Sequence, residues 1–328
     1  MQLRIVSAVV FVLAFLFASE GRAEKIRTAT PSGSLNYLSI YVAEERGFFK
    51  DGGLENETVV IPGPTGIAAL LSGDVDYSGA GGSGMRAAVK GAPIKAILFQ
   101  TERVTWYLVV GPSITRLSDL KGKKIAIGAP GDTLDTLVTT LAEREGLSAK
   151  DITRIAMGPS AITRMSAVKA DAVQATALDP ASTVMAENEG LRILTYLGDL
   201  FPFPFQGFMT TDKKIAENSA QTKRWLRAMI QALIFIRERP EVATDIGMKR
   251  LRLKNLSRAM VMDAVKRFNQ ALPDGIPGMP SPEGIKNVLE YDVRIPLKMR
   301  EKIPPEKVLD FRWIEEVKRE MEIKSRGR

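Results

Sequence analysis

The side chains that could do chemistry in this chain are few in kind. There is no histidine and no cysteine among its 328 residues. That removes disulfides, zinc sites of the usual kind, cysteine nucleophiles and every arrangement that needs an imidazole base. Hydroxyls, carboxylates, guanidinium groups and backbone amides remain, set in loops of small residues. Ser34 follows Ser32 and Gly33, between the apolar run Ile26–Ala29 and a helical pattern that starts at Leu35 and Asn36. Pro64 and Thr65 precede a second helical pattern from Ile67. The run Gly79–Gly84, which contains Gly82 and Ser83, opens a third. Gly131, Asp132 and Thr133 open a fourth, and Asp179-Pro180 a fifth. Helix starts of this kind leave backbone N–H groups facing outward, which suits an anion or a polar ligand head.

Each candidate has a plainer role beside the chemical one. Ser34 is placed to accept a backbone N–H as an N-cap, with Gly47 ending the helix in a left-handed turn. Asp132 and Asp179 are natural N-caps, the second because a proline follows it. Either carboxylate could instead meet a cationic group on a ligand, and the two together are the one acid–base pair on which an exported α/β enzyme could be built. Arg103 carries a fork suited to carboxylate, sulfonate or phosphate, with Trp106 and Tyr107 nearby for a ring or a methylated amine; a hinge ion pair with core aromatics is the plainer reading. Gly79–Gly84 fits the dinucleotide pattern G-x-G-x-x-G, with Glu102 further on. It follows the third strand of its unit, however, whereas the nucleotide fingerprint belongs to the first strand–helix turn. A glycine loop whose N–H groups approach a small ligand is expected there, and no cofactor or metal.

Two stretches echo one another and must position these loops. The first runs strand (Ile26–Ala29), loop, helix (Leu35–Arg46), Gly47, strand (Glu57–Ile61), Gly63-Pro64, helix from Ile67, Gly73-Asp74, then a strand through Tyr77. The second runs strand (Lys124–Gly128), Pro130-Gly131-Asp132, helix (Thr133–Glu145), Gly146, strand (Thr153–Met157), Gly158-Pro159, helix from Ile162, Ala170-Asp171 and the strand Ala172–Leu178. Each is a βαβαβ unit, which implies a mostly parallel sheet flanked by helices. Two units imply two α/β lobes, with ligands off the carboxyl ends of the strands. Thr101–Gly111 and Pro204–Thr210 read as the crossings between lobes. The organisation expected is lobe one from 24–106 and 207–328, and lobe two from 107–206. From Asp212 the pattern turns helical, with an apolar stripe through Trp225, Leu226, Met229, Ile230, Leu233 and Ile234; Ser281-Pro282 starts a late helix with Ile285, Leu289 and Val293 on one face. These helices are expected on lobe one.

The formal charge is +8, but Lys and Arg are mixed with Asp and Glu, and the compact basic run is the end, Lys324–Arg328. A solvated basic surface is expected, without a nucleic-acid partner. Arg4, the apolar run Ile5–Ala18, and Gly21 and Ala23 read as an export signal cut after Ala23, the apolar run being short for a membrane span. With no cysteine behind it, a lipid anchor is excluded, and a periplasmic protein is expected.

The runs SIYVAEERGFFKDGGLENETVVI, GIAALLSGDVDYSGAGGSGMRAAVKGAPIK and LSDLKGKKIAIGAPG resemble the substrate-binding proteins of ABC importers for nitrate, alkanesulfonates, taurine and thiamine precursors. The resemblance covers essentially all of the chain after the export signal. It implies a two-lobed, type II periplasmic-binding fold that closes on a solute and docks on an inner-membrane permease. A monomer is expected. By position, it places ligand loops at Gly33, Ser34, Leu35 and Asn36, at Pro64, Thr65 and Gly66, at Gly81, Gly82 and Ser83, and at Gly131, Asp132 and Thr133. Relatives that bind sulfonates prefer an uncharged loop at the last of these, so Asp132 turns the expectation from a plain oxyanion toward a zwitterion or a heteroaromatic solute. Some relatives on this fold are enzymes that need histidine or cysteine, which this chain lacks. A solute-sensing input subunit of a signalling system is the remaining alternative.

Overall fold

The structure, a computed structural model, describes residues 23–326 apart from 149, 201, 252, 254 and 255. The expected export signal up to residue 22 and the side chains of the basic end lie outside the described residues. No helix among the described residues is long and apolar enough to cross a membrane.

Two five-stranded sheets organise the chain, and they repeat one plan. In the first, β1 (Glu24–Thr30) lies between β2 (Leu54–Val60) and β3 (Tyr77–Ser78), parallel to both. In the second, β6 (Lys124–Ile127) lies between β7 (Thr153–Ala156) and β8 (Ala175–Leu178), again parallel to both. The full orders are β2-β1-β3-β10-β4 and β7-β6-β8-β5-β9. The echo in the sequence is therefore a structural repeat. Each sheet has one antiparallel strand in its fourth place. In the first it is β10 (Phe205–Thr211), between β3 and β4 (Ile94–Thr101); in the second it is β5 (Tyr107–Val110), between β8 and β9 (Arg192–Tyr196). Each of these strands is the first its lobe receives after the chain crosses over. The two crossings are tied together where Phe203 donates its N–H to the Glu102 carbonyl at 3.0 Å and Tyr196 donates its hydroxyl to the Val104 carbonyl at 2.7 Å.

The helices have the boundaries that caps and glycines impose. Leu35–Tyr37 is a 3-10 turn leading into α1 (Leu38–Glu45), and Gly47 takes a φ of 78° before the short helix α2 (Phe48–Asp51). Ser34 precedes the turn, but its side chain makes no cap; its hydroxyl pairs with Ser32 at 3.0 Å. The helices α3 (Gly63–Ser72) and α4 (Gly81–Val89) start earlier than their apolar spacing suggests, because the small residues ahead of them already have helical backbone. In the second unit, α5 (Thr133–Arg144), α6 (Ala161–Lys169) and α7 (Pro180–Asn188) are capped by Asp132, Ser160 and Asp179.

Among the described residues, six α-helices follow β10: α8 (Asp212–Glu217), α9 (Ser219–Glu238), α10 (Pro240–Leu251), α11 (Arg258–Asn269), α12 (Pro282–Val288) and α13 (Arg312–Arg326). They close lobe one around Trp225, which is wholly buried, stacks on Tyr77 at 4.2 Å between ring centroids and donates its indole N–H to Thr28 at 3.2 Å. The C-terminal helices also reach lobe two. Arg267 on α11 pairs with Glu187 on α7 at 2.6 Å and lies over the Tyr107 ring, and Tyr107 donates to Gln270 at 2.6 Å.

Candidate functional site

The carboxyl ends of β1 and β3 face the N-terminus of α5 across a cleft. The lobe-one floor is fixed by close packing. Tyr37 donates its hydroxyl to the Gly79 carbonyl at 3.0 Å. A Cβ at Gly81 would stand 2.8 Å from the Gly207 Cα, and one at Gly84 would stand 2.5 Å from the Met209 side chain. The glycine run therefore lets α4 lie directly on β10. Gly79 through Ser83 of this run nevertheless face the cleft.

That part lines a cavity of about 210 Å³ between the lobes. Of the sequence candidates, Gly82, Ser83 and Thr133 line it, together with Arg86, Gln206 and Asp292. Tyr37, Phe99 and Phe205 supply apolar wall. Gln206 is buried within β10 yet has a φ of 49°. A non-glycine residue in left-handed backbone costs on the order of 1 kcal/mol or more, and such positions cluster at ligand sites. Behind the wall lies a buried polar chain. Gln206 accepts from Thr101 at 3.3 Å and donates to Thr105 at 3.4 Å; Thr105 donates to Asn36 at 3.3 Å. Gln100 donates to the Asn36 carbonyl at 3.1 Å and accepts from Ser39.

Asp292 closes the cavity. It lies in a π-helical turn, Leu289–Arg294, after α12. Its Oδ1 accepts from Arg86 of α4 at 2.8 Å and from the Thr133 hydroxyl of α5 at 3.1 Å, and Arg86 also donates to its backbone carbonyl at 2.7 Å. Its Oδ2 rests against Gly82, 2.3 Å from where a Cβ would be. Asp292 is 7% exposed. Burial pushes its carboxyl above the ordinary range, and this outweighs the pull of Arg86 and the Thr133 bond.

The structure sends the other sequence candidates elsewhere. Asp132 accepts the N–H groups of Ala129 at 2.7 Å and Asp135 at 2.8 Å, and burial raises its pKa despite those bonds. Asp179 accepts from Ala181 and Ser182. Both stand near Arg164, a buried guanidinium on α6 that donates to the Gly158 carbonyl at 2.9 Å and to Thr176 at 3.2 Å. Burial disfavours the Arg164 charge, and Asp132 and Asp179 are the carboxylates that counter it. Gly131 has a φ of 76° and donates to Asp135 at 2.8 Å. Leu35 packs in the lobe-one core, and Asn36 serves the polar chain. Gly33, Pro64 and Thr65 are exposed at the rim, where Gly63 is the residue of that loop lining the cavity. Arg103 pairs with Asp199 at 3.0 Å in the crossing region, both side chains well exposed. Sequence reasoning missed Arg86 and Asp292. The available signal was an aspartate inside the apolar stripe Leu289–Val293, where an ordinary core helix has no use for one.

Known proteins share this framework. The pattern that defines the NMT1/THI5-like family matches residues 34–243. The chain belongs to the NMT1/THI5-like family. A binding protein of Brucella abortus is 26% identical over 216 residues, which is 65% of this chain and 67% of that one. The periplasmic aliphatic sulphonate binding protein SsuA of Escherichia coli superposes with a TM-score of 0.70 at 17% identity, over 88% of this chain and 92% of that one. The periplasmic nitrate-binding protein NrtA of Synechocystis PCC 6803 gives 0.68 at 15% identity, over 92% and 90%. This family member thus has the two-lobed type II periplasmic-binding fold.

Proposed function

We propose that this chain is a periplasmic solute-binding protein that captures a small polar, anionic or zwitterionic organic solute between its lobes and delivers it to an ABC permease. In this reading it is exported, cut after Ala23, and works as a monomer without catalysis. The observation that carries the reading is the cavity between the lobes, with Arg86 on one side, Thr133 on the other and aromatic wall between them. Family membership and the names of its structural relatives support it. Ser83 and Thr133 donate to polar atoms of the solute, Arg86 holds an acidic group, and Tyr37, Phe99 and Phe205 cover its apolar part. The balance of Arg86 against Asp292 favours a solute that is not a bare anion.

The commitment of Asp132 and Asp179 as caps beside Arg164 supports the absence of catalysis, because neither is free to shuttle a proton. The test is a thermal-shift screen of the mature chain against sulfonates, amino acids, pyrimidines and aromatic acids, followed by turnover assays on every hit. A solute that raises the melting temperature by mass action, and loses this effect in Arg86→Met, is the expected result. Turnover of a solute, or a shift untouched by Arg86→Met, would overturn the reading.

A further inference from the structure

Asp292 stands where the cleft offers its best anion ligands. One guanidinium and one hydroxyl converge on its Oδ1, and they come from opposite lobes. The residue belongs to neither βαβαβ unit. It is delivered by the C-terminal segment, which is held at the crossing by Ser281 donating its N–H to Glu102 at 3.0 Å and Asn287 donating to the Pro202 carbonyl at 2.8 Å. The π-helical geometry of Leu289–Arg294 widens one turn and sets Asp292 over Gly82, while its neighbours Leu289 and Val293 stay in the core.

We propose that Asp292 is a built-in occupant of the cleft: its carboxylate takes the place of the solute's acidic group, bridges Arg86 to Thr133, and must be displaced before an anionic head can bind. The inference rests on the solute-binding reading and deepens it by naming the residue that sets the selectivity threshold. Burial works against the Asp292 charge even with Arg86 beside it, so the carboxylate is held without being locked. Release to solvent recovers its hydration, which makes exchange with a better-fitting oxyanion feasible. Gly82 is the matching half of the device, since any side chain there would fill the seat of Oδ2. Weak or poorly shaped anions fail to displace Asp292; a solute with further contacts to the aromatic wall succeeds. Displacement also cuts the Thr133–Asp292 bond between lobes, so exchange and lobe movement are coupled.

The test compares wild type, Asp292→Ala and Asp292→Asn by calorimetric titration with methanesulfonate, nitrate and taurine, with small-angle scattering of each protein without solute. If Asp292 fills the seat about nine-tenths to ninety-nine hundredths of the time, removing it tightens the apparent affinity for methanesulfonate about ten- to hundredfold. Asp292→Asn, which keeps the shape and loses the charge, gives a smaller gain. Equal or weaker binding in Asp292→Ala would overturn the proposal, since a bystander or a direct solute contact behaves that way. If no probe binds any of the three proteins, the reading of the cleft as an anion site fails. Scattering then decides the bridge alone: a larger radius of gyration for Asp292→Ala supports it, and an unchanged one overturns it.

Discussion

Replacing Gly82 by alanine adds one methyl group at the tightest point of the cleft. An ideal Cβ there stands 2.3 Å from Asp292 Oδ2, 3.0 Å from its Cγ and 3.1 Å from its Oδ1. Ordinary contact begins near 3.4 Å, so the carboxylate has to move by about 1 Å. Overpacking of this kind costs roughly 1–3 kcal/mol. Against it stands the usual advantage of alanine over glycine in a helix, about 0.5–1 kcal/mol. Gly82→Ala should therefore destabilise the wild type by about 1–2 kcal/mol. In an Asp292→Ala background the obstacle is gone, and the same change should be neutral or stabilise by about 0.5 kcal/mol. The coupling between the two sites is then about 2 kcal/mol, well above the few tenths seen for independent positions. Urea denaturation of the four proteins in the cycle measures it. Additive effects, with Gly82→Ala equally costly in both backgrounds, would refute the steric argument and with it the seating of Asp292 against α4.

Two further outcomes follow from other parts of the site. Asp179→Ala removes three bonds at the start of α7 and should cost about 1 kcal/mol of stability, read by urea midpoint, while leaving the affinity for any solute that binds the cleft unchanged; a loss of affinity would return Asp179 to the ligand shell. Asp292 binds its proton more tightly in the folded protein than in the unfolded chain, so its contribution to stability falls as pH rises from its ordinary value of 3.8 through the raised one. The groups that act on it from the facing elements are Arg86, which opposes the shift, and Asp132, which adds to it. The melting temperature of Asp292→Asn minus that of wild type should accordingly increase with pH over this range; a difference that decreases would show that Arg86 dominates.

The fold was legible because its signals are local. Gly47, Gly73 and Gly146 all take left-handed φ where the sequence punctuation stops a helix, and Asp132, Asp179 and Ser281 cap the helices they precede. The repeat order survives because each βαβ step needs its own turn chemistry. Ser34 was misread for a physical reason: the chain enters α1 through a 3-10 turn, so its hydroxyl faces Ser32 instead of a free N–H. The site was only half legible. Ser83 and Thr133 announce themselves at helix starts, but Arg86 and Asp292 are 206 positions apart, and nothing in the spacing of either predicts that they meet. Asp132 was a reasonable candidate for the acid of the cleft; Arg164, buried behind it, gives that charge another purpose. The turn from a plain oxyanion toward a zwitterion keeps its direction under the proposed function but shifts its cause to Asp292.

The position of β10 has a consequence for how the protein is made. It is an interior strand, hydrogen-bonded to β3 and β4 on its two sides, and it comes from the far side of lobe two in the sequence. The first sheet thus has a gap until residue 211 has been made. Nascent chain up to β4 can form β1, β2 and their helices, but cannot close the sheet or enclose Trp225. Long-range closure of this kind slows folding. Under the proposed export, a chain threaded unfolded across a membrane gains time from that delay, because the segment that completes its larger lobe arrives late.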